Sequence, residues 1–135
     1  MIMEDQLDAA AAYFDRGLSL HRQFELEAAM AAYQRAIELD ASYDPPYMNL
    51  GLALIESQQL DQASLLFDQI LALPERSETP ASIHTLAHYN LAIIYRRQGK
   101  IGAAIKQVEA ALDLNSGFQP AKTLHQQLCV DTFNQ

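Results

Sequence analysis

The sequence predicts an all-α protein made of helix pairs, and three observations carry that prediction. A helical pattern recurs: Tyr13, Gly17 and Leu20 followed by Ala29 and Tyr33 return as Tyr47, Gly51 and Leu54 followed by Ala63 and Phe67. The glycines and the alanines are displaced by the same interval. A looser third copy runs through His88, Ala92 and Tyr95 to Ala104 and Val108. Five Gly and five Pro in 135 residues, with half the chain hydrophobic, leave long helix-forming runs and enough apolar matter for a core.

The glycines need a reason, because Gly inside a helix costs about 0.5–1 kcal/mol relative to Ala. The expected reason is a close crossing by the second helix of each pair. Ala29, Ala63 and Ala104 are then the small partners, and Tyr33, Phe67 and Val108 fill one turn further along the same face. Ala92 stands where the first two repeats have Gly, so the third crossing is expected to be slightly wider.

In order, the first helix is expected over about Asp5 to Arg22 and its partner over about Glu25 to Leu39. The short connection makes the two antiparallel neighbours. Asp44 then Pro45 reads as a cap and first helical residue, opening a helix that runs to about Ser57. The next helix begins near Leu60 and stops at Leu73-Pro74.

The interval from Gly51 to Ala92 exceeds that from Gly17 to Gly51 by about two helical turns, and the excess lies around Glu75 to His84. Thr79 and Pro80 repeat the cap signal, so the fifth helix is expected to start near Pro80 and overhang by one to two turns. Gly99 closes it as a C′ glycine. A sixth helix follows over about Ile101 to Leu114, a turn at Asn115 to Gly117, and a last helix over about Gln119 to Thr132 with Leu124, Leu128 and Cys129 on one side.

An aromatic residue, then Leu-Gly, then an aromatic or Leu, then Ala with an aromatic four positions on, at a period of about 34 residues, resembles the tetratricopeptide repeat. The resemblance covers about residues 10–118 and implies three helix-turn-helix repeats (about 10–43, 44–77 and 85–118) with an insertion at about 78–84. It also implies a capping helix at about 119–132 with a polar outer face, in one domain stacked as a right-handed superhelical solenoid. Three repeats are roughly the minimum for stability, so the chain reads as complete.

In that family the first helix of each repeat lines a concave groove. Carried over, the groove residues include Phe14, Leu18 and Arg22 in the first repeat, Met48, Asn49, Leu52 and Ile55 in the second, and Tyr89, Asn90, Ile93 and Arg97 in the third. Phe14, Leu18, Met48, Leu52, Tyr89 and Ile93 form an apolar stripe suited to an amphipathic helix or an extended peptide. Asn49 and Asn90 correspond to side-chain amides that hold a peptide backbone in the family. Arg22, Glu56 and Arg97 are expected to alternate in charge along one groove edge.

The implied function is a protein-interaction adaptor, an assembly factor or chaperone-like holder. The alternative is a self-associating structural protein whose groove or overhang is covered by a second copy. The family members that clamp the acidic C-termini of heat-shock chaperones use a set of cations and amides. At those places this chain has Phe14, Leu18, Asn49, Leu86 and Asn90, so only Asn49 matches and every cation is missing.

The net charge of −8 argues against nucleic acid and anionic membranes as partners. It is uneven: residues 1–78 carry fourteen acids against four arginines, and residues 79–135 three acids against five cations. No apolar run is long enough to span a membrane, and the acidic N-terminus has no signal-peptide core, so a cytoplasmic protein is expected. Cys129, the single cysteine, is expected to be a packed thiol in a reducing compartment.

His84 and His88 stand one turn apart as zinc-helix histidines do, but no third ligand flanks them, and His88 falls in a core-facing slot. No glycine-rich phosphate loop or activated nucleophile is evident. No enzyme, cofactor or metal is expected.

Overall fold

The computed structural model describes residues 4–74 and 82–133. All regular structure among them is helical: α1 (Glu4–Arg22), α2 (Leu26–Leu39), α3 (Pro45–Glu56), α4 (Leu60–Ala72), α5 (Ile83–Arg97), α6 (Ile101–Leu114) and α7 (Gln119–Phe133). The chain forms two compact units, Met1–Leu66 and Phe67–Gln135, with the boundary inside α4.

In the first unit α1 packs against α2, and α3 packs against both. The close crossing expected at Gly17 is present: a Cβ on Gly17 would lie 2.5 Å from Tyr33 Cε1. Tyr33 and Ala29 are fully buried there, together with Ala10 and Ala36. In the second unit α6 packs against α5 and α7. Its core gathers Ala92, Ala104 and Val108 with Phe118, Leu124 and Leu128, so the alanine and valine read from the repeat sit at its centre.

The turns inside the three helix pairs are built alike. After α1 the N–H of Glu25 donates to the carbonyl of Leu20, after α3 that of Gln59 to Leu54, and after α5 that of Lys100 to Tyr95. Each is the long bond of a Schellman end, which satisfies a carbonyl the helix leaves open. Such an end needs one left-handed residue. These are Phe24 (φ 59°), Gln58 (φ 66°) and Gly99 (φ 78°), so only the third uses the glycine that suits it. The repeats also turn into one another alike: Asp40 and Asn115 close α2 and α6 in extended conformations, and each side chain accepts from a backbone N–H two positions on.

Four expectations change. Helix α5 starts at Ile83, not near Pro80, and Ser82 is its cap, accepting from the Thr85 N–H at 3.1 Å. Thr79 and Pro80 lie outside the described residues. In repeat register α5 begins less than one turn earlier than α3, so the overhang is shorter than expected. Asp44 sits at the N-cap place of α3 in a helical conformation (φ −68°, ψ −41°), and its side chain makes no capping bond to the helix. Cys129 is exposed rather than packed, because Leu124 and Leu128 set the inner face of α7 and Cys129 is turned away from it. The outer face of α7 is also not uniformly polar, since Val130 and Phe133 are exposed on it.

Candidate partner-binding surface

The sequence-derived surface falls on α1 and α3 of the first unit and on α5 of the second. In the first unit α1 lies beside α3, which brings Leu18 and Leu52 onto neighbouring helices at equivalent repeat positions. Both are half-buried, as are Met48 and Asn49. Arg22 is exposed on the last turn of α1. Ile55 is only 6% exposed and belongs to the core.

Phe14 is held from two sides. Its ring meets Tyr33 at 5.9 Å and stands edge-on to Tyr43 at 5.7 Å and 86°. The second unit repeats the edge-on contact at the equivalent helix and turn, where Tyr89 meets Phe118 at 5.6 Å and 86°. Edge-to-face geometry aims the positive ring edge at the negative face and is worth about 0.5–1.5 kcal/mol beyond burial. These two candidates therefore lock a first helix to the turn that leads out of its repeat, leaving only part of each ring for a ligand.

On α5, Tyr89 and Ile93 pack with Leu86 against the core of the second unit and keep part of their surface exposed. Arg97 is exposed at the end of that helix. The two asparagines behave alike: Asn49 Nδ2 donates to the Pro45 carbonyl at 3.1 Å and Asn90 Nδ2 to the Leu86 carbonyl at 2.9 Å, each one turn back. Asn90 is 6% exposed, whereas Asn49 is more open. Neither Phe14, Leu18 and Asn49 in the first unit nor Leu86 and Asn90 in the second supplies a cation at the family's carboxylate-clamp places.

One connection escaped sequence reasoning. His21 Nε2 lies 3.0 Å from Glu56 Oε2, and His21 Nδ1 lies 2.9 Å from the Tyr33 hydroxyl. An ionised Glu56 only accepts, so Nε2 carries the proton and, in the neutral ring, Nδ1 accepts from Tyr33. Burial raises the Tyr33 hydroxyl above its ordinary value, Glu56 adds to this, and Arg22 opposes it. The chain Glu56–His21–Tyr33 has the order of an acid–base relay, but it ends on a fully buried ring, so it serves as a tie between α1, α2 and α3. It also takes Glu56 into a pair with His21 on the edge where an alternation with Arg22 was expected. Repeat register held the signal: His21 and Glu56 are one repeat and one position apart, on adjacent first helices.

The two histidines of α5 have separate partners. His84 Nε2 donates to the Leu73 carbonyl at 2.7 Å, tying the start of α5 to the end of α4, and His88 Nδ1 meets Gln107 Oε1 at 2.7 Å. Among the described residues no group of three His, Cys, Asp or Glu is arranged to hold a metal ion. Among the same residues no helix is long and apolar enough to cross a membrane.

Comparison with known proteins agrees with the helical geometry. Among solved structures, the TPR domain of Arabidopsis OM64 is similar with a TM-score of 0.80 at 17% identity, covering 93% of this chain and 98% of that one. The first TPR of Spaghetti (RPAP3), bound to the HSP90 peptide SRMEEVD, matches with a TM-score of 0.80 at 17% identity over 93% of this chain and 94% of that one. YrrB, described as a TPR protein with an unusual peptide-binding site, matches at 0.69 and 21% identity over 89% of this chain and 58% of its own. At such identities these likenesses establish the fold alone. Among curated proteins, the transcription activator GutR of Bacillus subtilis (strain 168) is 28% identical over 109 residues, and the match spans 77% of this chain but only 13% of GutR. Residues 25–58 match the family described as TPR repeat, and residues 85–118 match that described as tetratricopeptide repeat. With the two matches, the three left-handed helix ends in repeat register and the all-helical fold, this chain belongs to the tetratricopeptide repeat family.

Proposed function

We propose that the first-helix faces bind a segment of another protein, an amphipathic helix or extended peptide with apolar anchors, and that the chain acts as an adaptor, an assembly factor or chaperone-like holder rather than an enzyme. The observation that carries this is the half-exposed apolar surface on those helices. Leu18, Met48 and Leu52 supply it on the first unit and Tyr89 and Ile93 on the second, with Arg22 and Arg97 exposed at the helix ends. Apolar surface left beyond what the helix seams need marks an interaction site. Each anchor that a client buries there contributes about 1.5–3 kcal/mol before ordering costs.

Asn49, with an amide more open than that of Asn90, is the polar group assigned to the client backbone. Ile55 and Asn90 support the surface from beneath. Peptide binding by the RPAP3 domain is a precedent for the fold, and the missing cations direct this chain toward apolar rather than acidic clients.

The test is affinity capture of clients with the wild-type chain beside Leu52→Glu and Ile93→Glu variants of unchanged helicity. A photoreactive residue at Leu18 identifies what touches the surface. A client held by wild type and lost from the variants is the expected outcome. The same client held equally by all three overturns the reading.

A further inference from the structure

Between α1 and α2 lies a crevice of about 440 Å³, walled by Tyr13, Arg16 and Leu20 on one side and Glu25, Ala28 and Ala32 on the other. Repeat register shows what such a face accommodates. One repeat later, Arg16, Leu20, Glu25 and Ala28 become Leu50, Leu54, Gln59 and Gln62. Those four line a second crevice whose remaining wall is α2 itself, through Met30, Ala31 and Gln34. Leu50 and Leu54 are only 7% exposed as a result. The face that seats a helix in the second repeat is uncovered in the first, where Arg16 and Ala28 are exposed. Its wall is also cut back: Ala28 stands for Gln62 and Ala32 for Leu66, so an incoming helix has room for large side chains. Phe24, 69% exposed, precedes Glu25 in sequence.

A helix of matching character is present on the chain. Gln126, Val130 and Phe133 share the outer face of α7 at helical spacing, with Lys122 one turn before them. Val130 is 57% and Phe133 91% exposed. Charge disfavours pairing between two first units. The first unit carries eleven acids against three arginines, whereas the second is balanced at six and six and holds all three lysines. Two first units repel each other; a first unit and the α7 end of another copy do not.

We propose that the α1–α2 crevice is the seat for α7 of a second copy, with Phe133 and Val130 entering beside Ala28 and Ala32 and joining copies head to tail. The two surfaces differ, so each pairing leaves one seat and one α7 free, and association continues beyond the dimer. None of these residues belongs to the client surface proposed above, and the two readings stand or fall separately.

The test is sedimentation velocity and light scattering of the 135-residue chain with Ala28→Arg and Phe133→Asp variants. Both positions are exposed, so thermal unfolding of the variants should match wild type. Wild type is expected to form a ladder of dimer and larger species as concentration rises, and each variant alone to associate at least about tenfold more weakly. Mixing the two variants should restore a discrete one-to-one dimer, because one brings an intact α7 and the other an intact seat. A wild-type monomer up to about 100 µM overturns the proposal. So does association that either variant leaves unchanged, or a dimer that the mixture fails to restore.

Discussion

The ring of Tyr33 fills the place a side chain on Gly17 would take, with Cε1 2.5 Å and Cδ1 2.6 Å from where a glycine Cβ would be. The ring has nowhere to retreat, being fully buried, tied to His21 through its hydroxyl and flanked by Phe14. Gly17→Ala gains about 1 kcal/mol of helix propensity and incurs overpacking of about 1–3 kcal/mol. We expect a net loss of stability in urea unfolding. A variant as stable as wild type would mean that α1 and α2 separate without cost.

Phe24 holds a left-handed conformation at φ 59° with its ring mostly in water, and its register counterpart in the third repeat is Gly99. A non-glycine residue is strained there by about 1–2 kcal/mol, and the relief glycine brings is partly offset by its unfolded-state entropy. Phe24→Gly should raise stability by about 0.5–1 kcal/mol in the same unfolding measurement. Gln58→Gly should act in the same direction.

Arg96 ties α5 to α7: its Nε donates to Asp131 Oδ2 at 2.8 Å and its Nη1 to Gln127 Oε1 at 3.1 Å. Both ends of the ion pair are partly exposed, which limits it to about 0.5–1 kcal/mol. Asp131→Asn should cost that much or less, and hydrogen exchange should show the last turns of α7 opening before α5 and α6.

Tyr33, Tyr43 and Tyr47 all have hydroxyls raised above 10.0, in each case chiefly by burial, with nearby carboxylates adding. The folded state therefore keeps protons that the unfolded chain gives up. Stability from these groups is intact below the unfolded value of 10.0 and is lost as pH rises from there through the folded values. Urea midpoints should hold up to about pH 9 and fall above about pH 10. Tyr33→Phe should lose about 1 kcal/mol at neutral pH, from its bond to His21, and show a shallower alkaline fall.

Much of the fold was legible because the repeat states it more than once. The pairing of Gly17 with the helix bearing Ala29 and Tyr33 followed from small and large residues recurring together, and the ends of α4 and α6 followed from Pro74 and the Asn115 turn. The start of α5 was not legible, since Thr79-Pro80 and Ser82 carry similar local signals in the sequence, and the helix is capped by Ser82. Likewise Gly99 announced one left-handed helix end, while Phe24 and Gln58 adopt the same conformation against their own preference. Only register with Gly99 marks them.

The candidate surface was legible as a set of helix positions and not as a set of contacts. By itself the sequence determined that helices pair at a fixed period, where they cross closely, and to which family they belong. These depend on spacing along the chain, which a repeated pattern records directly. The tertiary structure decided that Ile55 and Asn90 are buried, that Phe14 and Tyr89 lean on Tyr43 and Phe118, that His21 takes Glu56, and that α7 shows Val130 and Phe133 to solvent. Each of these depends on distances of a few ångströms between side chains about a repeat apart in sequence or on which way one helix is turned. Periodicity places the helices but leaves those distances open, and packing settles them.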